Sequence, residues 1–278
     1  MVLLQNNFLA MAEERDYILG THRAELERLG LQHTVWQPYV LQGWQTSGLS
    51  VGASVLDVGC GPGYATADLL NIVGKTGKVV GVERSHQFIE NCKHKFAENE
   101  NATFYELDLM EEDIPENNFD FAWCRWVACF VNNPKLLVNK ISNALKPGGK
   151  IIFHEYINYE GWRVLPPNNY HNEFVQAVLK HWRKSGGEPD VAAYLPSYLL
   201  DNGFNINETK PLTFCINANH MFWQWPISFI EVNLQRQLDL GLATQDWVNA
   251  VLESYQYKKP KEVFMCTPTV LEIIATKN

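Results

Sequence analysis

The sequence has no stretch approaching the ~20 consecutive apolar residues of a membrane-spanning helix. Its short apolar group Val2-Leu3-Leu4 follows no basic segment, so neither a span nor a signal peptide is expected. It has no excess of basic charge. The 23 Lys and Arg stand against 31 Asp and Glu, giving a net charge of −8. That lacks the basic footprint of a nucleic-acid binder, and solubility is a sufficient account of it. The six cysteines, at 60, 92, 124, 129, 215 and 266, include no C-x-x-C pair, which excludes zinc-ribbon and thioredoxin-type sites. They read as reduced, mostly buried thiols of a cytoplasmic protein. No H-E-x-x-H or other ligand cluster occurs, so no metal is expected. Internal repeats and low-complexity segments are absent too.

What is present is alternation. The 278 residues suffice for one large α/β domain carrying a cap. Residues 10–47 read as helical. Apolar strands are expected at 54–58, 78–83, 103–107, 119–124 and 150–155, with helices between them except for an acidic loop after the third. Ser85 and the pair Asn133-Pro134 are placed as helix starts. Beyond residue 155 the texture becomes aromatic and irregular before alternation resumes near 191, with a last strand at 270–276. The pattern predicts a doubly wound, Rossmann-like, mostly parallel sheet of seven strands, with helices on both faces and a helical lid. The whole chain 1–278 is expected to form a single domain. Its core is placed at about 52–155, 191–217 and 263–278, and its lid at 1–48, 156–190 and 218–262.

The chemistry concentrates at Val55-Leu56-Asp57-Val58-Gly59-Cys60-Gly61-Pro62-Gly63, a buried strand running into a glycine turn. The dinucleotide fingerprint G-x-G-x-x-G sets pyrophosphate on a helix start. Here the spacing is Gly59-x-Gly61-x-Gly63, and Asp57 precedes it. A carboxylate repels pyrophosphate and attracts an ammonium group, so the turn suits a phosphate-free ligand carrying an amine. Glu83 ends the second strand, where an acid accepts both hydroxyls of a ribose. Asp108, just past the third strand, is placed to accept from an adenine amino group. Three acids at successive strand ends fall where ligands bind in open α/β sheets.

These segments resemble the class I S-adenosylmethionine-dependent methyltransferases. Residues 55–63 resemble that family's first motif, and Val79-Val80-Gly81-Val82-Glu83 its ribose-binding strand. Glu106-Leu107-Asp108-Leu109 with Ile114-Pro115 is similar to its adenine segment, and Phe119-Asp120-Phe121-Ala122-Trp123 to its fourth strand. Leu145-Lys146-Pro147-Gly148-Gly149-Lys150 is similar to the turn before the fifth. The nearest flavour is the small-molecule branch, the methyltransferase type 11/12-like kind that includes ubiquinone and menaquinone biosynthesis enzymes. The resemblance implies S-adenosylmethionine as cofactor, S-adenosylhomocysteine as product and a small organic methyl acceptor. It places Asp57, Gly59 and Gly61 at the methionine part, with Cys60 also binding the cofactor and Gly63 supporting the turn. Glu83 and Arg84 fall at the ribose, Leu107, Asp108 and Leu109 at the adenine, and Arg125 facing the site. Trp126, Tyr156, Trp162 and Trp223 are the candidates for the acceptor pocket.

Within that family the tetrad Asn/Asp-Pro-Pro-Tyr/Phe of amino-methylating nucleic-acid enzymes is replaced by Cys124-Arg125-Trp126-Val127, and no Pro-Cys nucleophile occurs. With the acidic charge, this argues against a nucleic-acid substrate. Glu155, His154 and Tyr17 are candidates for a catalytic role, but no general base is assigned, because proximity alone drives many methyl transfers. The alternatives are an NAD-binding oxidoreductase, disfavoured by the glycine spacing and Asp57, and a non-catalytic protein that keeps the cofactor pocket.

Overall fold

A computed structural model describes residues 23–255 and 262–278. The expected helical stretch before residue 23, and Tyr17 with it, lie outside the described residues. The order is α1 (Arg23–Ser47), β1 (Ser54–Val58), α2 (Tyr64–Val73), β2 (Lys78–Glu83), α3 (His86–Lys95), β3 (Ala102–Glu106), β4 (Phe119–Arg125) and α4 (Pro134–Ala144). There follow β5 (Leu145–Ile157), β6 (Arg163–Leu165), α5 (Asn169–Lys184), α6 (Leu195–Asp201), β7 (Phe204–Leu212) and β8 (Cys215–Asn217). Then come α7 (Gln224–Asp239), α8 (Gln245–Tyr255), β9 (Phe264–Cys266) and β10 (Thr269–Lys277).

Seven strands form one sheet in the order β3-β2-β1-β4-β5-β10-β7. The first five pair in parallel, and β10 runs antiparallel to both β5 and β7. The apolar runs of β1 and β2 are buried because helices cover the parallel sheet, whereas the edge strand β3 is half-buried. The reversal from β1–β2 to β1–β4 opens a crevice at the carboxyl ends of these strands, where the glycine turn begins. The expected helix starts hold: the Ser85 side chain accepts from the Phe88 amide, and Asn133 from the Leu136 amide.

The large aromatic residues of α1 are core. Trp36 and Trp44 are buried, Trp44 edge-on to Trp123. Helix α1 passes close over the sheet because Gly43 leaves room; a Cβ there would run into the Glu272 carboxylate.

The segments outside the main sheet also carry strands. Strands β6, β9 and β8 form a second, antiparallel three-stranded sheet. Residues 215–217 and 264–266, assigned above to the main core, belong to this small sheet. Each strand is three residues long, too short for alternation to be visible in the sequence.

Candidate functional site

The glycine turn closes β1 against β2. The amides of Gly59 and Cys60 both donate to the Val82 carbonyl, at 2.8 and 3.1 Å. Gly59 (φ 64°) and Gly61 (φ 51°) lie in the left-handed region. A Cβ on Gly59 would run into the Val127 side chain, whereas one on Gly61 would meet nothing within 4 Å. The space over Gly61 belongs to a cavity of about 360 Å³ at the carboxyl ends of the strands.

Two carboxylates are built into this floor. Asp57 is buried and accepts from the Thr66 hydroxyl at 2.6 Å. Burial raises its pKa to about 6, against the opposing pull of Thr66 and the Arg125 guanidinium. Glu83 accepts from the Gly61 amide at 3.2 Å and the Ser85 amide at 3.0 Å, one on each oxygen. It therefore ties the turn to the β2–α3 loop, where the Arg84 amide also donates to it. Burial also raises the Glu83 pKa. Asp108 lines the cavity beyond β3 and accepts from the Met110 amide at 2.8 Å, between the buried side chains of Leu107 and Leu109.

Arg125, the last residue of β4, reaches the same cavity. Its Nη2 donates to His33 Nδ1 at 3.1 Å, and its guanidinium lies 5.1 Å from the Trp126 ring centre. Its Nη1 is buried with no hydrogen-bond partner among the described residues. Burial lowers the Arg125 pKa to about 10, which still leaves it cationic at neutral pH. Burial, then the Arg125 charge, push His33 down to about 4, so the ring is neutral. It accepts at Nδ1, and its Nε2–H donates to Asp68 at 2.9 Å.

The opposite end of the cavity is aromatic. Trp126 and Tyr156 stack at 5.5 Å and 19°, and Phe130 and Trp182 at 4.6 Å and 17°. Tyr159 and Phe229 complete the wall. Arg28 and Gln32 of α1 border it; Arg28 donates to Glu25 at 2.7 and 2.6 Å and to Gln32 at 3.1 Å.

Of the cofactor candidates, Asp57, Gly59, Cys60, Gly61, Glu83, Arg84, Leu107, Asp108, Leu109 and Arg125 line this cavity. Gly63 does not; it caps α2 with φ 76°, its Cα facing Phe96 and Cys92. Of the acceptor candidates, Trp126 and Tyr156 line it. Trp162 and Trp223 are buried elsewhere, Trp162 against His171 and Phe174 in the lid.

His154 and Glu155 are also held away from the cavity. Strand register sets His154 opposite Glu272, and its Nε2 bonds that carboxylate at 2.8 Å. Glu155 accepts from the Val127 and Ala128 amides, both at 2.8 Å, pinning the loop after β4. Both side chains are fully buried, and burial raises Glu155 to about 7. Sequence reasoning missed Tyr64, Phe88, Phe130, Tyr159 and Phe229 as cavity residues. Apolar and aromatic spacing on a helix is the same whether a ring packs or lines a site.

A family profile described as a methyltransferase domain matches residues 56–153. The chain is similar to a demethylmenaquinone methyltransferase of Staphylococcus aureus, 33% identical over 121 residues. That match covers 44% of this chain and 49% of that protein, so the chain spans about half the length of the curated relative. Among solved structures it resembles a cyclopropane synthase from Mycobacterium tuberculosis (TM-score 0.55, 15% identity, 86% of this chain and 84% of that one). It also resembles a Haemonchus contortus phosphoethanolamine N-methyltransferase solved with S-adenosylhomocysteine (TM-score 0.51, 16% identity, 82% and 49%). At these identities the likeness is one of fold.

Proposed function

We propose that this chain, whose residues 56–153 match a methyltransferase-domain profile, is a class I S-adenosylmethionine-dependent methyltransferase acting on a small organic acceptor. The observation that carries the reading is one cavity joining the carboxylate-lined glycine turn to an aromatic chamber. The residues present fit the cofactor. Asp57 would hold its ammonium, the unpartnered Nη1 of Arg125 would meet its carboxylate, and Glu83 would accept from its ribose hydroxyls. Asp108, between Leu107 and Leu109, suits an adenine, and the open space over Gly61 admits the ligand's approach to the main chain. When bound, the cofactor supplies a methyl group on a cationic sulfur, ready for in-line displacement.

What the chain itself contributes is orientation and exclusion of water. The Asp68–His33–Arg125 series fixes the guanidinium. The rings of Trp126, Tyr156, Phe130 and Trp182 give the acceptor a flat, dry seat. No general base is assigned, since His154 and Glu155 lie outside the cavity and bond Glu272 and the amides after β4. Helices α5, α7 and α8 with the small sheet would serve as the lid over this chamber. The acidic charge argues against a nucleic-acid partner, and six free cysteines fit a reducing, cytoplasmic setting. Among the described residues no helix is long and apolar enough to cross a membrane.

The test is calorimetric titration with S-adenosylmethionine, S-adenosylhomocysteine and NAD. Binding of the first two and not of NAD is expected. Binding of NAD alone would turn the reading to the oxidoreductase.

A further inference from the structure

Two of the cysteines stand apart from the others. Cys60, Cys92, Cys124 and Cys129 are buried, whereas Cys215 is exposed and Cys266 half-buried. Both belong to the small sheet, which is apolar on one face only. Val164, Met265 and Ile216 are its buried row; the next row, Arg163, Cys266 and Cys215, takes the outer face. A free cysteine is ordinarily among the most buried of side chains, so two on an outward row are not there as core packing.

Strand register brings them together. Cys215 of β8 is directly opposite Cys266 of β9. At the next position the Thr267 amide donates to the Phe214 carbonyl at 2.9 Å, which makes Phe214 and Thr267 a hydrogen-bonded pair of this antiparallel ladder. Such pairs alternate, so Cys215 and Cys266 form a non-hydrogen-bonded pair, the kind whose Cα atoms approach to about 4.5 Å and whose side chains come closest. That separation lies within the range, about 4.4–6.8 Å, in which a disulfide closes without backbone movement. The two thiols are within hydrogen-bonding reach of each other. The frame around them is fixed: the Phe214 amide donates to Thr267 Oγ1 at 3.1 Å, and the Thr213 hydroxyl donates to that of Thr269 at 2.6 Å. The partners are distant in the chain, so no sequence spacing announces them.

We propose that Cys215 and Cys266 are a redox-active thiol pair that closes a reversible disulfide across β8 and β9. The oxidant is a low-molecular-weight disulfide of the glutathione class. The exposed Cys215 thiolate attacks one of its sulfurs and releases the first small thiolate. The Cys266 thiolate then attacks Cys215 in the mixed disulfide and releases the second. The two protein protons pass to the released thiolates, so one S–S bond forms in the protein as one is reduced to two small thiols. Burial and the neighbouring Cys215 thiol raise the Cys266 pKa, which suits it to the second, intramolecular step. The bond closes a ring over residues 215–266 that contains α7 and α8, and with α7 the cavity residue Phe229. It ties the two ends of that segment together where the chain leaves β7 and enters β10. The proposal stands independently of the methyltransferase reading.

The test places the whole chain in glutathione buffers from fully reduced to fully oxidised, followed by alkylation of the remaining thiols, peptide mapping and thermal melting. In the oxidised buffer a Cys215–Cys266 bond is expected, with the melting temperature raised by about 5–10 °C, both reversed by dithiothreitol. Cys215→Ser, at an exposed position, should melt like the reduced wild type in every buffer. Both thiols remaining alkylatable in the oxidised buffer, or Cys215 carrying glutathione while Cys266 stays alkylatable, would overturn the proposal. So would a melting shift of equal size in Cys215→Ser, which would assign the oxidation to other cysteines.

Discussion

At its polar end the cavity is walled by main chain and by side chains that successive parallel strands deliver: Asp57 from β1, Glu83 from β2, Asp108 after β3 and Arg125 from β4. At its aromatic end the walls come from segments far apart in the chain, from Arg28 in α1 to Phe229 in α7. The first end follows from topology, because parallel strands must present their carboxyl ends together. The second depends on how the lid elements fold back onto the sheet. The first suits a ligand common to a fold; the second can be rebuilt for one acceptor without disturbing the turn. The two ends should therefore fail independently.

The largest effect is expected from Glu83→Ala. It removes the acceptor of the Gly61 and Ser85 amides and of the proposed ribose bonds, and should weaken S-adenosylmethionine binding about 100-fold by calorimetry. Wild-type affinity in a variant with an unchanged melting temperature would contradict the placement of the ribose.

Next comes the pH dependence of cofactor affinity. Asp57 must be ionised to hold an ammonium group, and burial raises its pKa to about 6. Affinity should be level above that pH and fall by up to tenfold per unit below it. Asp57→Asn should be weaker at neutral pH and should lack that inflection. An inflection that persists in the variant would assign the titration elsewhere.

At the aromatic end, Phe130→Ala removes one face of the stacked pair with Trp182. It should lower kcat/KM for the acceptor about tenfold, by lost apolar contact, and leave the cofactor Kd within twofold. A matching loss of cofactor affinity would break the separation between the two ends.

The smallest effect concerns stability. Glu155 has its pKa raised to about 7 by burial, while in the unfolded chain it titrates at the ordinary carboxylate pH. Between those values the folded chain holds the extra proton, so stability drops as pH rises through the window. Glu155→Gln keeps an oxygen to accept from the Val127 and Ala128 amides. It should flatten this fall, gaining a few degrees in melting temperature at pH 8 relative to wild type and little at pH 5.

The polar end was legible in the sequence because its signals are local. A strand, a glycine turn and a terminal acid lie within a few residues, and helices separate the parallel strands everywhere but between β3 and β4. The aromatic end was half legible. Trp126 and Tyr156 sit next to strand ends and fall on the cavity, whereas Trp182 and Trp162 share one texture and differ only in which way the fold turns them. His154 and Glu155 have the chemistry of a base, and what disqualifies them is tertiary. His154 meets Glu272 across β10, a pairing 118 residues away, and Glu155 meets the amides after β4. The small sheet escaped notice because three-residue strands carry no period.

The most direct test of the central claim is transfer of label from methyl-labelled S-adenosylmethionine in the presence of a size-fractionated metabolite extract, with Glu83→Ala as control. The account predicts S-adenosylhomocysteine formation and label in an extractable small organic product, both strongly reduced in the variant. Tight cofactor binding with no S-adenosylhomocysteine above background, or label confined to nucleic acid or protein, would contradict it.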